Sequence, residues 1–107
     1  MSIPLQGSRF SATATHATSA VASVAGIAGS THFITDIAAS TDKAGALLLV
    51  KQGTTVIWQL QLAATAAGSL AFSHTFATPL ASASGALVSV TIDGTSVCNA
   101  NISGFTL

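Results

Sequence analysis

Charge is what this sequence has least of. Of 107 residues only six are charged, three of each sign, and neither glutamate nor tyrosine occurs. Three scattered basic residues, Arg9, Lys43 and Lys51, cannot neutralise the run of phosphates on which electrostatic nucleic-acid binding depends, so no nucleic-acid partner is expected. One cysteine excludes an intrachain disulfide framework, and nine glycines without a triplet period exclude collagen. Cys98, between Val97 and Ala100, reads as a small buried hydrophobe. The longest Ala-rich stretch, residues 17–28, is interrupted by Ser, Thr and Gly and falls short of the roughly 20 apolar residues of a membrane helix. No membrane partner is expected. Arg9 precedes alternating polar sequence rather than an apolar h-region, so no secretory signal is read and a reducing site of synthesis is expected.

What remains is rich in small residues. Alanine supplies 21 of the hydrophobic residues, leaving 32 able to fill a core. Residues 1–9 contain Pro4, the isolated apolar residues Ile3 and Leu5, and no sustained period; they read as an N-terminal arm, with one domain over residues 10–107. From Phe10 onward, short alternating or apolar runs are separated by Gly, Asp, Ser and Thr at intervals of about 8 to 12 residues, the signature of an all-β sandwich or barrel. Val56, Trp58, Leu60 and Leu62 fall on one face and Thr55, Gln59 and Gln61 on the other, with Ile57 the exception. The Gly-containing stretch 51–54 joins that strand to the run 46–50 as a hairpin. Residues 31–39 form another strand, with Phe33, Thr35 and Ile37 opposite His32, Ile34 and Asp36. Leu70, Phe72, His74 and Phe76 alternate with small polar residues, and Pro79 is read as ending that strand. Val88, Val90 and Ile92 alternate with Ser89 and Thr91 before an Asp93-Gly94 turn, and residues 97–107 close the chain. With weaker candidates at 10–15 and 20–25, seven or eight strands are expected. Alanine favours helix, but the Ala-rich stretches lack bulky residues at helical spacing; only a short helical turn near 63–68 is retained.

Such a core is thin. Ordering each residue costs roughly 1–2 kcal/mol of backbone entropy, apolar burial returns only about 25 cal/mol per Å², and alanine has little area to bury. Residues 47–50, Leu-Leu-Leu-Val, are apolar on both faces of a strand. One side can line the interior and the other a neighbouring subunit. Scarce surface charge points the same way, toward an oligomer.

The inventory for chemistry is small: His16, His32, His74, three aspartates, Cys98, two lysines and Arg9. No Gly-x-Ser-x-Gly elbow occurs. A triad of His32, Asp36 and any serine can be written on paper but has no specific signature, so no enzyme is expected. Three copies of one histidine on a threefold axis could bind metal; His74, between Phe72 and Phe76, reads instead as a core or interface histidine, and neither metal nor cofactor is expected. His32 reads as a loop-edge residue. Gly26-Ile27-Ala28-Gly29 lacks the flanking basic residues of a nucleic-acid loop and reads as a turn. Asn101-Ile102-Ser103 satisfies a glycosylation sequon, relevant only in a eukaryotic secretory host. Trp58 shares a face with Val56 and Leu60 and reads as core rather than as a sugar platform.

The stretch from Gly29 through Thr31-His32-Phe33-Ile34-Thr35-Asp36-Ile37, the hairpin from Leu49 through Lys51-Gln52-Gly53-Thr54 to Trp58, the segment from Phe76 through Pro79 to Leu80, and the ending from Asn99 through Asn101-Ile102-Ser103-Gly104 to Thr106 together resemble small jelly-roll structural proteins of tailed bacteriophages. Members of that group resemble tumour-necrosis-factor-like trimers, and several decorate or cement capsids. The resemblance implies a jelly-roll-like β-sandwich, a homotrimer, the major capsid protein as partner, and a place on the virion after synthesis in the bacterial cytoplasm. It transfers no catalytic residue. Within it, Ile3, Pro4, Leu5 and Arg9 of the arm are expected to contact the capsid, and Leu48, Val50 and His74 to line the trimer interface. The competing expectation is a trimeric receptor- or carbohydrate-binding fibre-tip module. It would need exposed aromatics or clustered acids, whereas most aromatics here fall on core-facing positions.

Overall fold

The computed structural model describes residues 8–62 and 70–107; Ile3, Pro4, Leu5 and the expected helical turn near 63–68 lie outside them. The described residues form eight strands and no helix: β1 (Ser8–His16), β2 (Ser19–Val24), β3 (His32–Thr41), β4 (Leu47–Gln52), β5 (Thr55–Gln61), β6 (Leu70–Ala81), β7 (Val88–Asp93) and β8 (Cys98–Thr106). They build two four-stranded antiparallel sheets, β1-β8-β3-β6 and β2-β7-β4-β5. We call these sheets A and B. The first strand pairs with the last, the second with the seventh, the third with the sixth and the fourth with the fifth. The chain is thus one long hairpin, rolled so that only β4 and β5 are consecutive neighbours in a sheet. Their Gly53-Thr54 loop has φ +56° at glycine and no positive φ at Thr54, the pattern of a II′ turn, which suits the twist of a hairpin.

The inner faces of both sheets meet in one core. Ile34, Ile37, Ala39, Phe76, Cys98, Ala100 and Ile102 come from sheet A, and Ala20, Ala22, Leu48, Val50, Val88, Val90 and Ile92 from sheet B. Apart from Leu48 and Phe76 these residues are β-branched or small, as suits a closely spaced sandwich with little bulky material.

Two irregularities correct the simple alternation. In β3 the register slips between Ile34 and Asp36 on pairing with both β6 and β8. A residue added on one strand reverses the facing of everything beyond it. Ile34 and Ile37 therefore both point inward, with Thr35 and Asp36 between them turned out, whereas strict alternation placed the two isoleucines on opposite faces. In β5, Val50 pairs with Trp58 but Lys51 pairs with Val56, so Ile57 is the inserted residue. Val56 consequently shares the outer face with Lys51 and is exposed, while Ile57 packs against the core. Pro79 does not end its strand: β6 runs to Ala81, because it is an edge strand with one side that needs no donor. Ser8 and Arg9, expected in the arm, already belong to β1, where Arg9 pairs with Phe105.

Candidate functional site

The expected interface residues are not brought together. Leu48 and Val50 are completely buried in the interior, so their side chains cannot meet another subunit; the same strand turns Leu47 and Leu49 outward. His74 is exposed on the edge strand β6. It is held among aromatic rings, stacked on Trp58 at 5.6 Å and on Phe72 at 6.2 Å and edge-on to Phe76 at 4.7 Å. These rings bridge β5 and β6, one edge strand from each sheet, so Trp58, expected in the core, packs against it only half-buried and closes one side of the sandwich.

The residues of the paper triad are also parted. His32 is not at a loop edge but buried at the start of β3, facing inward. Its Nε2 lies 2.8 Å from the Ala25 carbonyl oxygen, which can only accept, so Nε2 carries the proton. In the singly protonated ring Nδ1 then accepts from the Thr106 hydroxyl at 2.7 Å. The imidazole thus ties the β2–β3 connection to the end of β8, with the Phe10 ring edge-on at 5.3 Å. Asp36, four residues on and beyond the bulge, faces the opposite side.

The β3–β4 and β7–β8 connections are clamped by Asp42. Its carboxylate accepts from the amides of Thr95 at 2.8 Å, Ser96 at 2.9 Å and Val97 at 3.3 Å, and from the Ser96 hydroxyl. These bonds, the Ser96 hydroxyl foremost, hold its pKa well below the ordinary 3.8. Beside it the Thr41 hydroxyl donates to the Asp93 carbonyl at 2.5 Å. This oxyanion setting is filled by the protein's own carboxylate. Among the described residues no cluster of three His, Cys, Asp or Glu side chains could hold a metal ion. Cys98 is buried, its thiol donating to the His16 carbonyl at 3.3 Å.

The outer face of sheet A carries the most polar convergence. Register places Ser11, Ser103, Asp36 and Thr75 in one row across the four strands and Thr13, Asn101, Ala38 and Ser73 in the next. The Thr75 hydroxyl donates to Asp36 Oδ1 at 2.6 Å and the Thr35 hydroxyl to Oδ2 at 2.9 Å. Both bonds lower the Asp36 pKa, Thr75 the more, so the carboxylate stays ionised on this face. Short side chains leave two adjoining depressions. One of about 230 Å³ lies over Ala38, Ser73 and Asn101; the other, of about 320 Å³, lies between Arg9 and Asp36 with Ser103 and Gly104 beneath. On the same face Phe105 and Phe33 stack at 5.0 Å with nearly parallel rings. These two phenylalanines are turned outward, whereas Phe10, Trp58, Phe72 and Phe76 lie in the core or pack against it. Reading the sequence missed this face because the bulge that turns Thr35 and Asp36 out has no apolar marker; the only hint was the Ile34-x-x-Ile37 spacing. Neither a protein-family model, nor a curated protein, nor a solved structure matches this chain.

Proposed function

We propose that the chain is a virion structural protein, a jelly-roll decoration protein that binds a phage head as a homotrimer and stabilises it by contacting the major capsid protein. The rolled-hairpin strand order supports the jelly-roll reading: two Greek keys folded into paired four-stranded sheets are its connectivity, one used repeatedly by viral capsid and lectin domains. The observation that carries the assembly reading is the outward row on β4. Leu48 and Val50 already complete the interior, yet Leu47 and Leu49 present two further leucines outward, with Val21 and Val56 exposed on the same sheet face. A chain with six charges has little else to keep that face in solution. A second copy over sheet B removes it from water.

A rigid trimer makes three copies of every capsid contact, so weak individual contacts act together at high effective concentration. Residues Ile3, Pro4 and Leu5 precede β1 and supply the capsid contact in this reading, joined by Arg9 at the start of the sheet. Deleting residues 2–7, which spares β1, tests it. Trimers form normally while incorporation into heads is lost; full occupancy on heads overturns the role of the arm. The fibre-tip alternative is separated from the decoration reading by position on the particle, since a decoration protein covers the head in many copies and a tip module sits at the tail end in few.

A further inference from the structure

We propose that the depression between Arg9 and Asp36 on the outer face of sheet A binds a neutral sugar, one hexose ring carrying adjacent hydroxyls, wherever on a particle the chain is placed. Opposite charges face each other across this concavity without meeting. Among the described residues the one ion pair is Lys43 with Asp93, and Arg9 has no carboxylate partner there. In a chain with six charges, two flank the same depression of about 320 Å³. That volume is at the small end of ligand pockets, roughly 300–1,000 Å³, and suits one ring rather than a large ligand.

The chemistry of the walls selects the ligand. Each Asp36 oxygen already accepts one threonine hydroxyl, which fixes the carboxylate plane and leaves both oxygens able to accept again. Two neighbouring sugar hydroxyls can donate to such a pair. Arg9 supplies donors to sugar oxygens from the other side, and the hydroxyls of Ser11 and Ser103 both donate and accept. Ser103 and Gly104 of β8 line the floor of the depression. Phe105, the cross-strand neighbour of Arg9, offers with Phe33 a half-exposed apolar surface for the C–H face of a ring. A uronic acid would bring its carboxylate toward an ionised Asp36 and is disfavoured; an amine would meet Arg9. The adjoining depression over Ala38 and Asn101 continues the groove for a second ring.

The test is a titration of the full-length ¹⁵N-labelled protein with the methyl glycosides of glucose, galactose, mannose and N-acetylglucosamine, and with glucuronic acid, following backbone amides. At least one neutral glycoside at about 10 mM shifts the amides of Ser11, Asp36, Ser103 and Gly104, with glucuronic acid roughly tenfold weaker. Arg9→Gln and Asp36→Asn each weaken binding roughly tenfold. Ser103→Trp fills the depression while keeping the Ser103 carbonyl that Thr35 uses, and abolishes the shifts even if Asp36→Asn fails to fold. Absence of shifts at these amides for every neutral glycoside, shifts confined to sheet B, equal binding of glucuronic acid, or unchanged binding by Ser103→Trp would each overturn the proposal.

Discussion

Gly104 is where the packing of sheet A leaves least room, and Gly104→Ala measures how much the fold depends on it. A Cβ built at position 104 falls 2.0 Å from the Phe33 carbonyl oxygen and 2.8 Å from Cζ of Phe10. Carbon–oxygen contacts begin at about 3.3 Å, so the methyl needs roughly 1.3 Å of extra separation. The obstacle is backbone in the central pair β3 and β8, whose ladder bonds tolerate only about 2.7–3.2 Å. Phe10 would also have to leave its place against His32. Overpacking of a core costs about 1–3 kcal/mol, and an obstacle of backbone puts this substitution at the upper end. At about 4–8 °C per kcal/mol for a domain near this size, the melting temperature falls by roughly 10–25 °C. Thermal and urea unfolding followed by circular dichroism read the effect. Ser103→Ala, on the outer face one residue away, is the control and stays within about 0.5 kcal/mol of the parent. A Gly104→Ala melting temperature within about 2 °C of the parent would refute the close β3–β8 approach and the bulge that creates it.

Further outcomes follow from the same geometry. Leu48→Ala opens a cavity in the completely buried interior and costs about 2–5 kcal/mol, whereas Leu49→Ala, on the outer face, costs well under half of that; unfolding of the two proteins at low concentration compares them. The double substitution Leu47→Asp, Leu49→Asp preserves the far-ultraviolet spectrum and yields single subunits by light scattering; persistence of the oligomer removes sheet B from the interface. Asp42 and Asp36 both have folded pKa values below the ordinary 3.8, so the stability they contribute is present above that value and is lost as pH falls through it toward the folded values. The urea midpoint should therefore change little between pH 8 and 5 from these two groups and fall below pH 4, with a shallower acid limb in Asp42→Asn. An unchanged acid limb would show that the clamp on Thr95, Ser96 and Val97 does not form in solution.

How much could be read from the residues depends on whether a side chain's facing was marked by something apolar. The hairpin around Gly53 was legible because a glycine separates two strongly patterned strands. Ile57 stood out as an exception within a good alternation, and exceptions of that kind are what a bulge leaves in a sequence. The bulge at Thr35 left a weaker trace, since Thr and Asp are at ease on either side of a sheet. Pro79 misled because removal of a donor matters only where that N–H would face a neighbouring strand, and residues 76–79 of the edge strand β6 fall in a register shift without partners in β3. Leu48 and Val50 are expected at a subunit interface, yet they line the interior; a strand apolar on both faces carries no local mark of which one looks inward, and the pairing of β4 with β7 decides it. The two charges of the outer depression, Arg9 and Asp36, are 27 positions apart and meet one surface only through β8, whose register carries no local signal. Asp42 gave none either, because its partners are backbone amides.

The assembly state of the purified full-length chain, measured by light scattering or sedimentation equilibrium at micromolar concentration, tests the central claim most directly. A mass of three chains, reduced to one by the paired Leu47 and Leu49 substitutions, is the outcome that the proposed assembly through sheet B predicts. A stable, freely soluble single subunit at every concentration would contradict it.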